Sequence, residues 1–109
     1  MAFDPDLHQR CQTHLAGRAG LTEKRMFGGV GWIRDGNMAA GLMGAELIVR
    51  IGPLDVDMAL AEPDTRPFAP TGRTMRGWVV VGAEPLADDL VLADWLDRGW
   101  AFAGSLPPK

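Results

Sequence analysis

The chain has 109 residues, 47% of them hydrophobic and 23% charged, and eleven Lys and Arg stand against fourteen Asp and Glu for a net charge of -3. That is one domain's length, able to bury roughly two-thirds of the surface its unfolded form exposes, and its apolar content excludes intrinsic disorder. An acidic chain with scattered cations speaks against direct nucleic-acid binding, which needs clustered positive charge to neutralise phosphates.

The first predicted element is a helix. Asp4 is a good N-cap, Pro5 suits the first helical position, and Gly17 suits the residue just past the end. Leu7, Cys11 and Leu15 recur every four residues and form one apolar stripe. Gly20 to Lys24 is expected to connect to a strand region, and Arg25 to Ile51 reads as three antiparallel strands. Met26 to Ile33 is the first, weakened by Gly28, Gly29 and Gly31 in a way that suggests bulges or close backbone approach. Asp35-Gly36 is a hairpin signal, returning into Met38 to Met43. Leu47 to Ile51 follows, with Leu47, Val49 and Ile51 on one face and Ile48 and Arg50 on the other.

Pro53 can open a short helix over Asp55 to Glu62, after which Pro63, Pro67 and Pro70 predict an irregular or extended stretch. Gly77 to Val81 reads as a central strand, hydrophobic on both faces. Asp88 or Asp89 can cap a last helix running to about Gly104. On it Val91, Trp95 and Phe102 share one flank, and Leu92, Leu96, Trp100 and Ala103 the next. The resulting apolar arc is about 200° wide, broader than the roughly 100° a helix needs to cover one sheet. Another part of the chain or a second copy must cover the rest, which makes Trp95 and Trp100 interface candidates and a homodimer the expectation. Leu106 to Lys109 is a tail that cannot extend the helix. The order α-β-β-β-α-β(β)-α describes a single α+β domain over 1–109, two-layered, with a mainly antiparallel sheet flanked by helices.

One cysteine, Cys11, excludes an intramolecular disulfide and suits a reducing compartment. The N-terminus has neither the basic nor the apolar region of a signal peptide. Uncharged stretches such as Gly36 to Ala45 fall far short of the roughly 20 residues of a membrane span. A cytoplasmic protein without membrane association is expected.

No pattern of catalytic residues emerges. Gly28-Gly29-Val30-Gly31 lacks the Gly-Lys-Ser/Thr ending of a P-loop and the spacing of a dinucleotide fold, so bulged or tightly packed strand is the reading. His8, Cys11 and His14 are spaced by three on a helix, so the histidines diverge by about 120° and rise about 9 Å apart. All three cannot converge on one tetrahedral ion without distortion, although one His with Cys11 could supply two ligands or a Cys-His nucleophile pair. Cys11 on the apolar stripe reads instead as a buried inert thiol, and no metal site and no cofactor is expected. Asp88 and Asp89 point about 100° apart on a helix, which fits capping better than shared acid-base work. The six methionines read as core filling or an adaptable interface. Lys24, Arg25, Arg50, Arg73 and Arg76 could converge at one sheet edge to bind an anionic ligand or an acidic partner.

Those cations lie in segments that resemble a known family. Lys24-Arg25-Met26-Phe27-Gly28-Gly29 looks like the signature of the TfoX N-terminal domain family, Val49-Arg50-Ile51-Gly52 like its "vRvG" segment, and Thr71 to Trp78 like its "tGR.M.G" segment. Trp95 and the Leu-Pro-Pro-Lys ending also look familiar for stand-alone members. The resemblance implies a fold grouped with secretion-chaperone-like α/β proteins, some of them dimeric. It also implies no established reaction and a link to a bacterial regulator of competence for DNA uptake, in which a second domain follows. The expectation is therefore a non-catalytic interaction or regulatory module with a protein partner. The alternative is a small anionic-ligand-binding protein or weak enzyme using Arg50, Arg73 and Arg76.

Overall fold

The computed structural model describes residues 3–26 and 28–109. Helix α1 (Pro5–Leu15) is capped by Asp4, whose Oδ1 accepts from the backbone N–H of Asp6 at 2.9 Å. It is followed by strands β1 (Leu21–Met26), β2 (Gly29–Arg34), β3 (Asn37–Met43) and β4 (Glu46–Arg50). Helix α2 (Val56–Leu60), strands β5 (Thr65–Pro67) and β6 (Trp78–Val81), and helices α3 (Ala83–Leu86) and α4 (Asp89–Gly104) complete the chain. The six strands form one sheet in the order β1-β2-β3-β4-β6-β5, every neighbouring pair antiparallel. The fold is α+β, as its element pattern leads one to expect. Among the described residues no helix is long and apolar enough to cross a membrane.

Asp35 and Gly36 turn β2 into β3 with φ of 49° and 85°, the paired positive values of a type I′ hairpin. Gly77 to Val81 supplies a central strand as expected: β6 lies between β4 and β5, and Val79, Val80 and Val81 are all buried. Three elements depart from the sequence reading. Leu21–Met26 is a strand of its own, so four strands and not three precede α2. It is an edge strand whose Thr22, Glu23, Lys24 and Arg25 are exposed, and charge on an edge hides the apolar alternation that marks other strands. The proline-rich stretch contributes β5, three residues paired with β6 at the far edge, where Pro67 can be tolerated. Residues 83–86 form an extra short helix. Phe27, within the family-like segment, lies outside the described residues.

Side chains alternate across the sheet, and the register assigns them to two faces. Val30, Trp32, Ala40, Leu42, Leu47, Val49, Val79 and Val81 share the face that α1 and α4 cover, and all are buried. Helix α4 turns Leu92, Trp95, Leu96, Trp100 and Ala103 into this core. Its arc is closed by the chain itself: the sheet takes one flank, α1 and α3 pack beside it, and Arg98 lies over the Trp95 ring, 4.3 Å from its centroid. Asp88, not Asp89, is the cap, accepting from Leu90 N–H at 2.8 Å.

Polar contacts lock the helices in place. Glu23 on β1 accepts from the buried Trp32 indole at 2.8 Å and from Gln12 at 3.0 Å, with His8 Nε2 at 3.2 Å. Partial burial pushes the Glu23 carboxyl up, but these hydrogen bonds outweigh it and hold the group below its usual range. Asp97 on α4 is held low in the same way, by Arg18 at 2.8 Å and His14 at 2.9 Å on the α1 side. The tail returns to the β2–β3 hairpin, where Asn37 donates to the Pro107 carbonyl and the Lys109 N–H to that of Asp35.

Candidate functional site

The two later family-like segments meet at the end of the sheet. Ile51 N–H and Gly52 N–H both donate to the Gly77 carbonyl, at 2.8 and 2.9 Å. Gly52 and Gly77 have φ of +94° and +91°, a region that favours glycine. A Cβ on Gly77 would lie 3.2 Å from the Gly52–Pro53 backbone, and one on Gly52 would strike the Phe102 ring at 2.4 Å. The motif glycines therefore let two backbones and a ring close on one another. Arg50 is left between two aromatic rings, its guanidinium carbon 5.4 Å from the Trp78 centroid and 5.6 Å from that of Phe102.

The five candidate cations do not converge on one edge. Arg50, Arg73 and Arg76 belong to the β4–β6 end, Arg76 directly preceding the Gly77 junction. Lys24 and Arg25 sit three strands away on β1, about 14 Å across the sheet, and as strand neighbours they point to opposite faces. Arg25 lies over the Phe3 ring at 5.3 Å. Among the described residues, however, all five lack an ion-pair partner, whereas Arg10, Arg18, Arg66 and Arg98 each hold a carboxylate. Most other cations hold the fold together through polar contacts; these five carry no carboxylate, although Arg25 and Arg50 pack on aromatic rings.

Among the described residues no helix covers the second sheet face. The register places Lys24, Gly31, Gly41, Met43, Glu46, Ile48, Arg50, Trp78 and Val80 on it. Its glycines are ground for methionines: a Cβ on Gly31 would meet Met38 Cε at 2.9 Å and Met26 Cε at 3.1 Å, and one on Gly41 would meet Met38 Cε at 3.1 Å. Gly29 is similarly covered by Met43. The glycine-rich segment is thus flat, methionine-covered strand. Residues 67–70 fold back over this face and leave a groove of about 420 Å³ lined by Met43, Ile48, Phe68 and Val80. An exposed sheet face, a sheet edge and an apolar helix flank are the docking surfaces the sequence offers, without residues for the first, although Gly29, Gly31, Gly41 and Met43 alternate with the buried Val30, Trp32, Ala40 and Leu42.

The remaining candidates are structural. Trp95 is 2% and Trp100 9% exposed, both in the core, so neither presents a ring to a second chain. Arg34, unremarked in the sequence, donates to the Trp100 carbonyl at 3.1 Å near the α4 C-terminus, where positive charge is favoured. Cys11 is wholly buried, and burial pushes its thiol up to about 12. Among the described residues, no group of three His, Cys, Asp or Glu is placed to hold a metal ion. None of the five described methionines is in the core, so core filling does not account for them.

Neither the curated proteins nor the solved structures contain a match to the chain. The model of the TfoX N-terminal domain matches residues 13–103, which take in β1 through α4 and all five uncommitted cations. The chain belongs to the TfoX N-terminal domain family.

Proposed function

We propose that the chain is a non-catalytic regulatory module of the cytoplasm that works by docking a protein on the open face of its sheet. The observation that carries this reading is the placement of the methionines. Met is usually a core residue, yet here Met26, Met38 and Met43 lie on a helix-free sheet face and Met43 is 45% exposed. Flexible, polarisable side chains over flat glycine ground suit a surface that adapts to a partner. Family membership supports a regulatory role. The burial of Cys11 and the absence of a chemical cluster among the described residues add nothing in favour of an enzyme. With Trp95 and Trp100 inside the core, the same open face is also where a homodimer would form.

A photo-crosslinking amino acid at position 43, compared with one at Leu90, tests this in the protein's native cells. Leu90 is 82% exposed on the helix layer and serves as the control. Adducts to a protein, whether a second copy or another chain, are expected from position 43 alone. Equal adducts from both positions, or none from position 43, overturn the proposal.

A further inference from the structure

We infer that the open face takes an acidic polypeptide segment with interspersed apolar residues, an inference that rests on the docking reading above. Charge is the first argument. Lys24 on the face, Arg50 at the sheet end between Trp78 of this face and Phe102 of α4, and Arg73 and Arg76 in the exposed loop that leads into β6 have no carboxylate partner among the described residues. The carboxylate that the strands put on this face, Glu46, is already bound at both oxygens by Arg66, at 2.6 and 2.7 Å. Elsewhere the chain is acidic, with a net charge of -3, so the face stands out as its uncommitted positive side. An acidic segment is steered to such a side and a basic one away from it.

Shape is the second argument. The groove has Ile48 and Val80 buried at its floor and leaves Met43 and Phe68 as apolar ground beside them. Lys24 on β1 and Trp78 on β6 are four strand spacings apart, about 19 Å, the reach of roughly six extended residues. Arg50, held between Trp78 and Phe102, is oriented before any partner arrives, so little side-chain entropy is lost when it meets a carboxylate. The sheet edges are less suited: β1 is blunted by Glu23, Lys24 and Arg25, and β5 is three residues ending in Pro67. The larger groove between α2 and α4, about 730 Å³, is lined by Asp55, Glu62 and Arg98, and Arg98 is already bound to Glu62, so it offers an acidic chain no free cation. Four cations divided between a sheet edge, a sheet end and a loop are also unlike the dense cationic track that follows a phosphate backbone.

Panning a random 12-residue peptide library against the whole chain, with Met43→Gln protein, which leaves the charge of the face unchanged, as counter-target, tests the inference. Met43 is exposed enough for the change to leave the fold intact. Peptides retained by the wild type and lost on Met43→Gln are expected to be net acidic with Leu, Phe or Met interspersed. Their Kd should rise about tenfold or more in Arg50→Gln, as expected when one charge-assisted hydrogen bond is lost. Arg76→Gln, in the exposed loop, provides the same readout if Arg50→Gln impairs folding. Face-dependent peptides that are neutral or basic overturn the inference and leave the docking reading standing. No face-dependent peptide at all overturns both. Duplex DNA that binds the face more tightly than the selected peptides at physiological salt also overturns the inference.

Discussion

Gly99 on α4 sits where the helix comes closest to the sheet, and replacing it with alanine tests the packing of the two layers. A Cβ there would lie 2.4 Å from the Ala39 carbonyl oxygen and 3.1 Å from Val49 Cγ1. Ala39 is the extra residue of a bulge, since Trp32 pairs with Ala40 and Ile33 with Met38. A carbon–oxygen contact needs about 3.3 Å, so helix and sheet must separate by about 1 Å. The obstacle is backbone, and Trp95 and Trp100, buried on either side of Gly99, oppose rotation of the helix. A gap of that size forfeits a quarter to a half of the dispersion energy of the atoms it separates. Overpacking of this kind costs about 1–3 kcal/mol, and the rigid obstacle puts Gly99→Ala at the upper end. Alanine returns about 1 kcal/mol of helix propensity, leaving a net loss of about 2 kcal/mol. For a domain of this length that lowers Tm by on the order of 10 °C, measurable by far-UV circular dichroism during heating. An unchanged or raised Tm would show that the close approach of α4 to the bulge is not as described.

Two further outcomes follow from the packing and the ion pairs. Trp95→Ala and Trp100→Ala should each cost about 3–5 kcal/mol in urea unfolding while leaving the sedimentation mass of the folded fraction unchanged; a change of mass without loss of stability would make them interface residues after all. Glu23 is depressed in the folded state, so its stabilisation is present above the ordinary carboxyl value of 4.5 and is lost as pH falls below it. Glu23→Gln should therefore show a shallower loss of Tm than the wild type between about pH 5 and pH 3, with the rest of the acid limb carried by Asp97 and Glu46, both also held low. Parallel acid limbs for the two proteins would refute the role given to the Glu23 cluster.

Local chemistry made much of the fold legible. Asp4-Pro5 and the Leu7–Cys11–Leu15 stripe mark α1 because capping and four-residue spacing act within one helix. Asp35-Gly36 marks its hairpin because two positive φ values are required there. Strand β1 was not legible because Thr22 to Arg25 are polar: it is held by pairing with β2 and by Glu23 reaching Trp32 and Gln12 on neighbouring elements. The candidate site was half legible. The family-like segments contain the uncommitted cations, but their grouping at the β4–β6 end, with Lys24 and Arg25 on the opposite edge, depends on strand order.

The α+β class, the hairpin, the central β6 run and the acidic balance of the chain each follow from residue type and short-range spacing. Which side of each element is free depends on how the elements pack. A wide apolar arc on α4 says that something must cover it, not what does, and the sheet together with α1 and α3 covers it here. Methionines that composition could assign equally to core or surface fall on the open face because the register alternates them against Val30, Trp32, Ala40 and Leu42. Burial and pairing depend on what the rest of the chain brings alongside a residue, and in an antiparallel sheet that is set by register across strands rather than by neighbours along the chain.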